Sequence, residues 1–333
     1  MNTTAQTERT FDVIVVGGGT AGLAAALTLA RARRSVLVLD SGSPRNAPAA
    51  HLHGYLGRDG AAPAELLAGG RAEVAAYGGE IRSGAAGTAV AADRVPEGGF
   101  LVRCGDGSAV RAGRLLLATG LVDELPQLPG LGERWGRDVL HCPYCHGWEV
   151  RDAPVAVLAT GPLAVHQAQT WRNWSDRVTL LAHTRPPTAD ERELLAALGV
   201  TVVEGEVTGL TVAGDGLAGV TLAGGGSVAC RALVVAPRFT ARAGVAAGLG
   251  LPVVAVERDG AVVGSCLEAD PATGATALRG VWAAGNLTNP LDQLAAAAAA
   301  GVRAAVALNA DLIEEETRRA LEAYRRRSGR GRT

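Results

Sequence analysis

The stretch from residue 11 to residue 40, FDVIVVGGGTAGLAAALTLARARRSVLVLD, constrains the fold more than any other part of the chain. A short apolar run (13–16) ends in glycines, a helix-like stretch follows (21–32), and a second apolar run (35–39) closes on Asp40. Short apolar runs bounded by turn residues read as buried parallel strands, and two of them joined by a helix make a βαβ unit. The turn carries Gly17, Gly19 and Gly22 in G-x-G-x-x-G spacing, with Asp40 following Gly22 by 18 residues. Each position has a mechanical reason. Gly17 permits the tight turn, Gly19 lets the backbone approach a pyrophosphate, Gly22 lets the helix pack on the strand, and Asp40 is placed to bind ribose hydroxyls. The helix start adds unpaired N–H groups and positive potential. Alone, a G-x-G-x-x-G is weak evidence. Set between two strands with the acid in place, it predicts a dinucleotide site, for FAD or NAD(P).

With 333 residues the chain is long enough for two domains, each burying its own core. The net charge of −1 gives no field that would recruit nucleic acid or an anionic membrane, although all 32 cationic residues are arginine. The opening residues MNTTAQTERTFDV carry neither a basic nor an apolar leader region, so no secretory signal is expected. The alanine-rich LAAAAAAGVRAAVAL is interrupted by Arg303, so no membrane span is expected either. The expectation is a soluble, cytoplasmic protein. In a reducing cytosol its five cysteines do not suggest a disulfide framework. Cys104, Cys230 and Cys266 stand alone and read as small buried residues.

Cys142 and Cys145 differ. They sit two residues apart in LHCPYCHGWE, flanked by His141 and His146. A zinc site needs four ligands. These four crowd into six residues, and no second C-x-x-C or H-x-x-x-H completes a tetrahedron, so no metal is expected. A C-x-x-C also closes a disulfide within a short loop, and one thiolate can be stabilised by the other thiol and by nearby positive charge. A redox pair and a pair of buried reduced thiols are the readings left. Around this motif a second α/β pattern runs on: a proline- and glycine-rich connector from 123 to 136, strands at 154–161, 178–183 and 200–205, helices at 162–174 and 190–199, then a small antiparallel sheet. The tail EEETRRALEAYRRRSGRGRT starts as an amphipathic helix and ends rich in arginine.

Two further segments resemble flavoprotein motifs. LLLATG (115–120) is similar to the A-T-G strand that closes an FAD domain, and GVWAAGNLTNP (280–290) resembles the late A-x-G-D segment that contacts FAD. Taken in order, the parts resemble low-molecular-weight thioredoxin reductases over nearly the full length. HCPYCHG with LATGPLAVHQA is further similar to the reductase-like dithiol oxidases, flavoenzymes that close disulfides in small natural products of the gliotoxin, holomycin and romidepsin kind. The resemblance implies an α/β fold of pyridine nucleotide-disulfide oxidoreductase architecture, with two Rossmann-like three-layer domains. Residues 1–124 and 253–333 would form the FAD domain, and 125–252 the inserted, NADPH-like domain carrying the C-x-x-C. It implies FAD as cofactor, held by Gly17, Gly19, Thr20, Ala21 and Gly22, by Asp40, Arg45 and Asn46, by Ala118, Thr119 and Gly120, and by Gly285, Asn286, Gln293 and Leu294. Asn286 stands where the family usually has aspartate. A homodimer is implied in the same way.

By the same resemblance Cys145 lies against the flavin and Cys142 exchanges with substrate. His146 follows the second cysteine, where bacterial reductases carry an aspartate acid/base, and an imidazole titrates in the range that this work requires. His141 is the alternative base for an incoming dithiol. The related oxidases pair a histidine with a carboxylate from the C-terminal segment, and Asp292 matches it. Asp292 also reads as the N-cap of the following helix, and its carboxylate is expected to face a histidine or the helix N–H groups.

A reductase needs NADPH. Here the second nucleotide motif reads ATGPLA, with Ala159 in place of the first glycine and Pro162 removing an N–H from the helix start. Where reductases carry a basic H-R-R cluster, this chain has His183, Thr184 and Arg185. The site reads as vestigial. The function expected is therefore oxidation of a small-molecule dithiol to an intramolecular disulfide, electrons passing through Cys142/Cys145 and FAD to O2 with release of H2O2, in natural-product biosynthesis or self-protection. An NAD(P)H-dependent reductase of a thioredoxin-like protein is the alternative.

Overall fold

A computed structural model describes residues 9–258 and 260–328. Residues 1–8 of the stretch read for a leader and the arginine-rich end at 329–333 lie outside the described residues. The βαβ unit forms as the pattern predicts. Strand β1 (Thr10–Val16), helix α1 (Thr20–Arg31) and strand β2 (Val36–Asp40) follow one another, and the strands pair in parallel from Val13 opposite Val36 to Val16 opposite Leu39. Every residue of β2 is buried, as a parallel strand covered on both faces must be. Helix α2 (Pro63–Ala76) and strand β3 (Glu80–Ser83) extend the sheet on one side. On the other, β4 (Ala89–Arg94), β5 (Phe100–Cys104) and β6 (Ala109–Leu117) make an antiparallel meander whose last strand returns beside β1.

Strand β7 (Leu121–Glu124) then leaves this unit. After it come α3 (Leu131–Arg134), β8 (Val139–Leu140), α4 (Pro143–His146), β9 (Val155–Leu158), α5 (Leu163–Trp171), β10 (Val178–Leu181), α6 (Ala189–Ala197) and β11 (Thr201–Val203). The expected antiparallel sheet is β12 (Val207–Ala213), β13 (Gly216–Leu222) and β14 (Ser227–Ala229), followed by β15 (Ala232–Val234). The inserted parallel sheet has the order β11-β10-β9-β15-β8.

The chain returns along β16 (Arg238–Ala241), antiparallel to β7, so two paired strands carry it out and back. After the short helix α7 (Gly244–Gly248), β17 (Val253–Arg258) and β18 (Ala261–Leu267) complete that four-stranded sheet. Val245, Ala246 and Leu251 pack into the core beneath β1 and β6. Strand β19 (Val281–Ala283) joins β6, and α8 (Leu294–Arg327) closes the chain.

By its length and the apolar composition of an 18-residue window, α8 would pass for a membrane span. In this fold its stripe of Ala297, Gly301, Ala304, Ala305, Leu308 and Leu312 is buried in the core that α1 shares. A side chain at Gly301 would place its Cβ 2.0 Å from the Ala21 carbonyl oxygen, so the glycine sets how closely the two helices cross.

Candidate functional site

A cavity of about 960 Å³ runs from the glycine-rich turn to the cysteine pair. All the site residues expected from sequence line it except Gly22 and Gly285. Those two are packing glycines. A Cβ at Gly22 would meet the Gly17 carbonyl oxygen at 1.8 Å, and one at Gly285 would meet Ala21 Cβ at 2.7 Å.

The nucleotide end suits a diphosphate. Gly17 has φ +112°, and a Cβ there would lie 2.2 Å from the Ala118 carbonyl oxygen. At Gly19 a Cβ would meet nothing within 4 Å, so the missing side chain leaves open room in the cavity wall. Helix α1 starts at Gly19 with no side-chain cap, which leaves its first N–H groups for an anion. Asp40 is buried, its Oδ1 accepting from the Gly42 N–H at 3.0 Å and its Oδ2 from Arg71 at 2.8 Å. A carboxylate with two such bonds can still accept from a ribose hydroxyl. Arg71 sits on α2, and no local pattern tied it to Asp40.

Arg45 lines the cavity, but its guanidinium is committed to the protein. Its Nε and one terminal nitrogen reach Asp123 at 2.8 and 2.7 Å, and the other reaches Asn286 Oδ1 at 3.2 Å and the Pro290 carbonyl at 3.3 Å. Asn286 in turn donates to the carbonyls of Asn289, Pro290 and Asp292 at 3.1, 3.4 and 2.8 Å. A carboxylate cannot donate, so the departure from the family's aspartate has a local cause: this turn is built on an amide.

Two expectations for Asp292 are corrected. The N-cap of α8 is Gln293, not Asp292. The Asp292 carboxylate accepts from Asn289 Nδ2 at 2.6 Å, and among the described residues no hydrogen bond joins it to either histidine. The turn pinned by Asn286 ends one residue before the helix, which moves the cap on by one. Burial pushes the Asp292 carboxyl above its ordinary range, with Arg303 pulling weakly the other way.

At the far end, Cys142 and Cys145 are joined as a disulfide, with Cα atoms 5.3 Å apart. Cys142 is the N-cap of α4, Pro143 takes the first helical position, and the Cys145 and His146 N–H groups both donate to the Cys142 carbonyl at 3.2 Å. The other thiols stand apart. Cys104 and Cys230 are buried, and burial pushes Cys230 up to about 12. Cys266, on β18, is only half-buried, against expectation.

His141 Nδ1 lies 3.2 Å from the Val235 carbonyl, and its ring stands edge-on to Phe239 at 5.3 Å. A carbonyl only accepts, so Nδ1 carries the proton and Nε2 is left as acceptor. Burial pushes His141 below its ordinary 6.5, and pushes His146 the same way, Glu149 opposing it.

Sequence reasoning missed several neighbours. Five of the six histidines line this one cavity, His51, His53 and His166 joining the two expected. His53 lies 3.3 Å from Glu149 and 3.4 Å from Asp59, tying the 51–60 loop to the end of the cysteine segment. The paired histidines of HLHGYLGRDG were a signal. Gln167, on the cavity face of α5, gave none beyond its helical spacing.

At the second nucleotide site the candidate phosphate-binding side chains have partners within the protein. Arg185 forms a two-point ion pair with Glu191 at 2.6 and 2.8 Å, and Glu191 also completes the capping box of α6 with Thr188. His183 Nδ1 accepts the Val207 N–H at 3.0 Å. Pro162 caps α5 with no side-chain bond, and Ala159 is buried.

The family described as pyridine nucleotide-disulphide oxidoreductase matches residues 11–301. The chain belongs to that family. This oxidoreductase is 44% identical to the protein in the crystal structure of HlmI, with a TM-score of 0.88 over 98% of this chain and 100% of that one. It is 30% identical over 315 residues to the thioredoxin reductase sirT of Leptosphaeria maculans, covering 90% of this chain and 93% of that protein. To the thioredoxin reductase tcpT of Claviceps purpurea (strain 20.1) it is 37% identical over 198 residues, 58% of this chain and 61% of tcpT's length. The expected fold stands, as does the resemblance to thioredoxin reductases, and FAD is the cofactor. The open wall at Gly19 and the uncapped α1 fit it.

Proposed function

We propose that this oxidoreductase closes the disulfide of a small-molecule dithiol, with O2 as final electron acceptor. The observation that carries the reading is the Arg185–Glu191 pair. The guanidinium that stands where reductases hold a nicotinamide nucleotide's extra phosphate is ion-paired within the protein, while the disulfide shares a cavity with the FAD turn.

His141 Nε2 takes the proton of the first substrate thiol. The thiolate attacks Cys142 Sγ, the Cys142–Cys145 bond breaks, and Cys145 leaves as thiolate. The second substrate thiol gives its proton to His146 and attacks the substrate sulfur held on Cys142, so the substrate disulfide forms and Cys142 is released as thiolate. Because both thiols belong to one molecule, the second attack is intramolecular, which favours small preorganised dithiols. Gly17, Gly19, Thr20 and Ala21 would hold the cofactor's phosphates, and Asp40 a ribose. Bound FAD would supply the two-electron acceptor that lets the Cys142–Cys145 bond re-form, and O2 would take those two electrons with the protons held by His141 and His146, giving H2O2.

The test is anaerobic. FAD-loaded protein is mixed with excess NADPH, and separately with dithiothreitol, while the visible flavin band is followed. Bleaching by the dithiol alone, reversed by air with peroxide formed, is expected. Bleaching by NADPH within a turnover would make the protein a reductase instead.

A further inference from the structure

Gln167 takes no part in these steps, yet it is the buried polar side chain in contact with His141. It is 8% exposed, and its Nε2 lies 3.3 Å from His141 Nδ1 and 3.4 Å from the Val235 carbonyl oxygen. That carbonyl has two lone pairs, one for His141 Nδ1–H and one for the Gln167 N–H. The other end of the amide is unsatisfied: Gln167 Oε1 is buried and, among the described residues, has no hydrogen-bond partner. Buried acceptors are paired in the great majority of cases, so an orphan oxygen on an amide touching a cavity-lining imidazole has an explanation to find. The two ends of a glutamine amide are nearly the same shape. Turning it over puts Oε1 where Nε2 stands, 3.3 Å from Nδ1.

We propose that Gln167 is a positioning residue for His141. The Val235 carbonyl holds Nδ1–H toward the protein and leaves Nε2 as the proton acceptor, Gln167 Nε2 donates to that same carbonyl, and the Gln167 carbonyl oxygen turns onto Nδ1–H when the ring becomes cationic, giving up the bond to Val235. The inference rests on the reading of His141 as the base for the substrate thiol. A neutral ring needs one acceptor at Nδ1, whereas a buried imidazolium gains from a second. The other groups facing His141 do not supply it. Arg45 opposes the cation, Asp123 favours it but is already paired with Arg45, and Phe239 offers only a ring edge.

The test uses FAD-loaded protein labelled with 15N-histidine, the His141 signal being assigned from His141→Gln. The nitrogen shifts give the tautomer, and a pH titration gives the pKa in the wild type, Gln167→Leu and Gln167→Glu. The Nδ1–H tautomer is expected in the wild type. The pKa should fall by about one unit in Gln167→Leu and rise by about one in Gln167→Glu. The pH limb of anaerobic flavin bleaching by dithiothreitol should move with it. Gln167→Leu keeps the volume and apolar packing, so it tests the point even where a buried glutamate does not fold. Unshifted titrations in a folded Gln167→Leu would overturn the proposal while leaving His141 as base. If His141→Gln leaves the bleaching limb in place, the base reading fails and the proposal fails with it.

Discussion

Asn286 shows how one residue type can be dictated by hydrogen-bond inventory. Three backbone carbonyls and one guanidinium converge on its side chain, and only an amide offers donors to the first and an acceptor to the second. In Asn286→Asp the carboxylate faces three carbonyls with nothing to donate, although its bond to Arg45 gains charge. We expect a net loss of about 1–3 kcal/mol, seen as a lower melting temperature of the FAD-loaded protein. Proteolysis should quicken in the 286–292 turn that carries Asp292. An unchanged melt would mean that the Arg45 contact makes up for the lost donors. The sequence marked position 286 as a departure but not its cause, because the partners Arg45 and Pro290 are fixed only by the folded turn.

At the level of elements, two glycines next to α1 separate packing from binding. Gly301 on α8 lies where a Cβ would press into the Ala21 carbonyl at 2.0 Å, so Gly301→Ala must push two long core helices apart. A cost of about 1–3 kcal/mol is expected, with lower melting temperatures in both the FAD-free and FAD-loaded protein. Gly19 faces open space and has φ −77°, ψ −175°, extended backbone that alanine adopts readily. Gly19→Ala should leave the melt of the FAD-free protein unchanged and weaken FAD binding at least tenfold, measured by recovery of flavin fluorescence on release. Equal affinity would show that the diphosphate does not approach this turn. The βαβ unit was legible because strand, turn and helix are local and the glycine spacing is rigid. The α1–α8 crossing was not, because a small residue inside an alanine-rich helix carries no mark of what it packs against.

Across the whole molecule, the order of parts and the place of the cysteine pair could be read from the chain. What could not be read is how distant loops converge on that pair. His53, in the 51–60 loop, meets Glu149 across 96 positions with no periodicity linking them. The burial of histidines across the fold has a thermodynamic consequence. His141, His146 and His183 are all held below 6.5 by burial, so the folded protein keeps them neutral where the unfolded chain would protonate them. The unfolded state therefore binds more protons once pH drops below about 6.5. The stability these groups allow is fully present above that value and is lost as pH falls through it. The urea midpoint of the FAD-loaded protein should accordingly fall between pH 7.5 and 5.5. His183 offers the cleanest check, since it lies outside the cavity and its Nδ1 must stay unprotonated to accept the Val207 N–H. Its φ of +38° suits asparagine, whose oxygen can accept the same bond without titrating. His183→Asn should then lose less stability than the wild type over that interval, while both keep the same rate of flavin bleaching by dithiothreitol. An equal acid loss in the two proteins would assign the pH dependence to the cavity histidines alone.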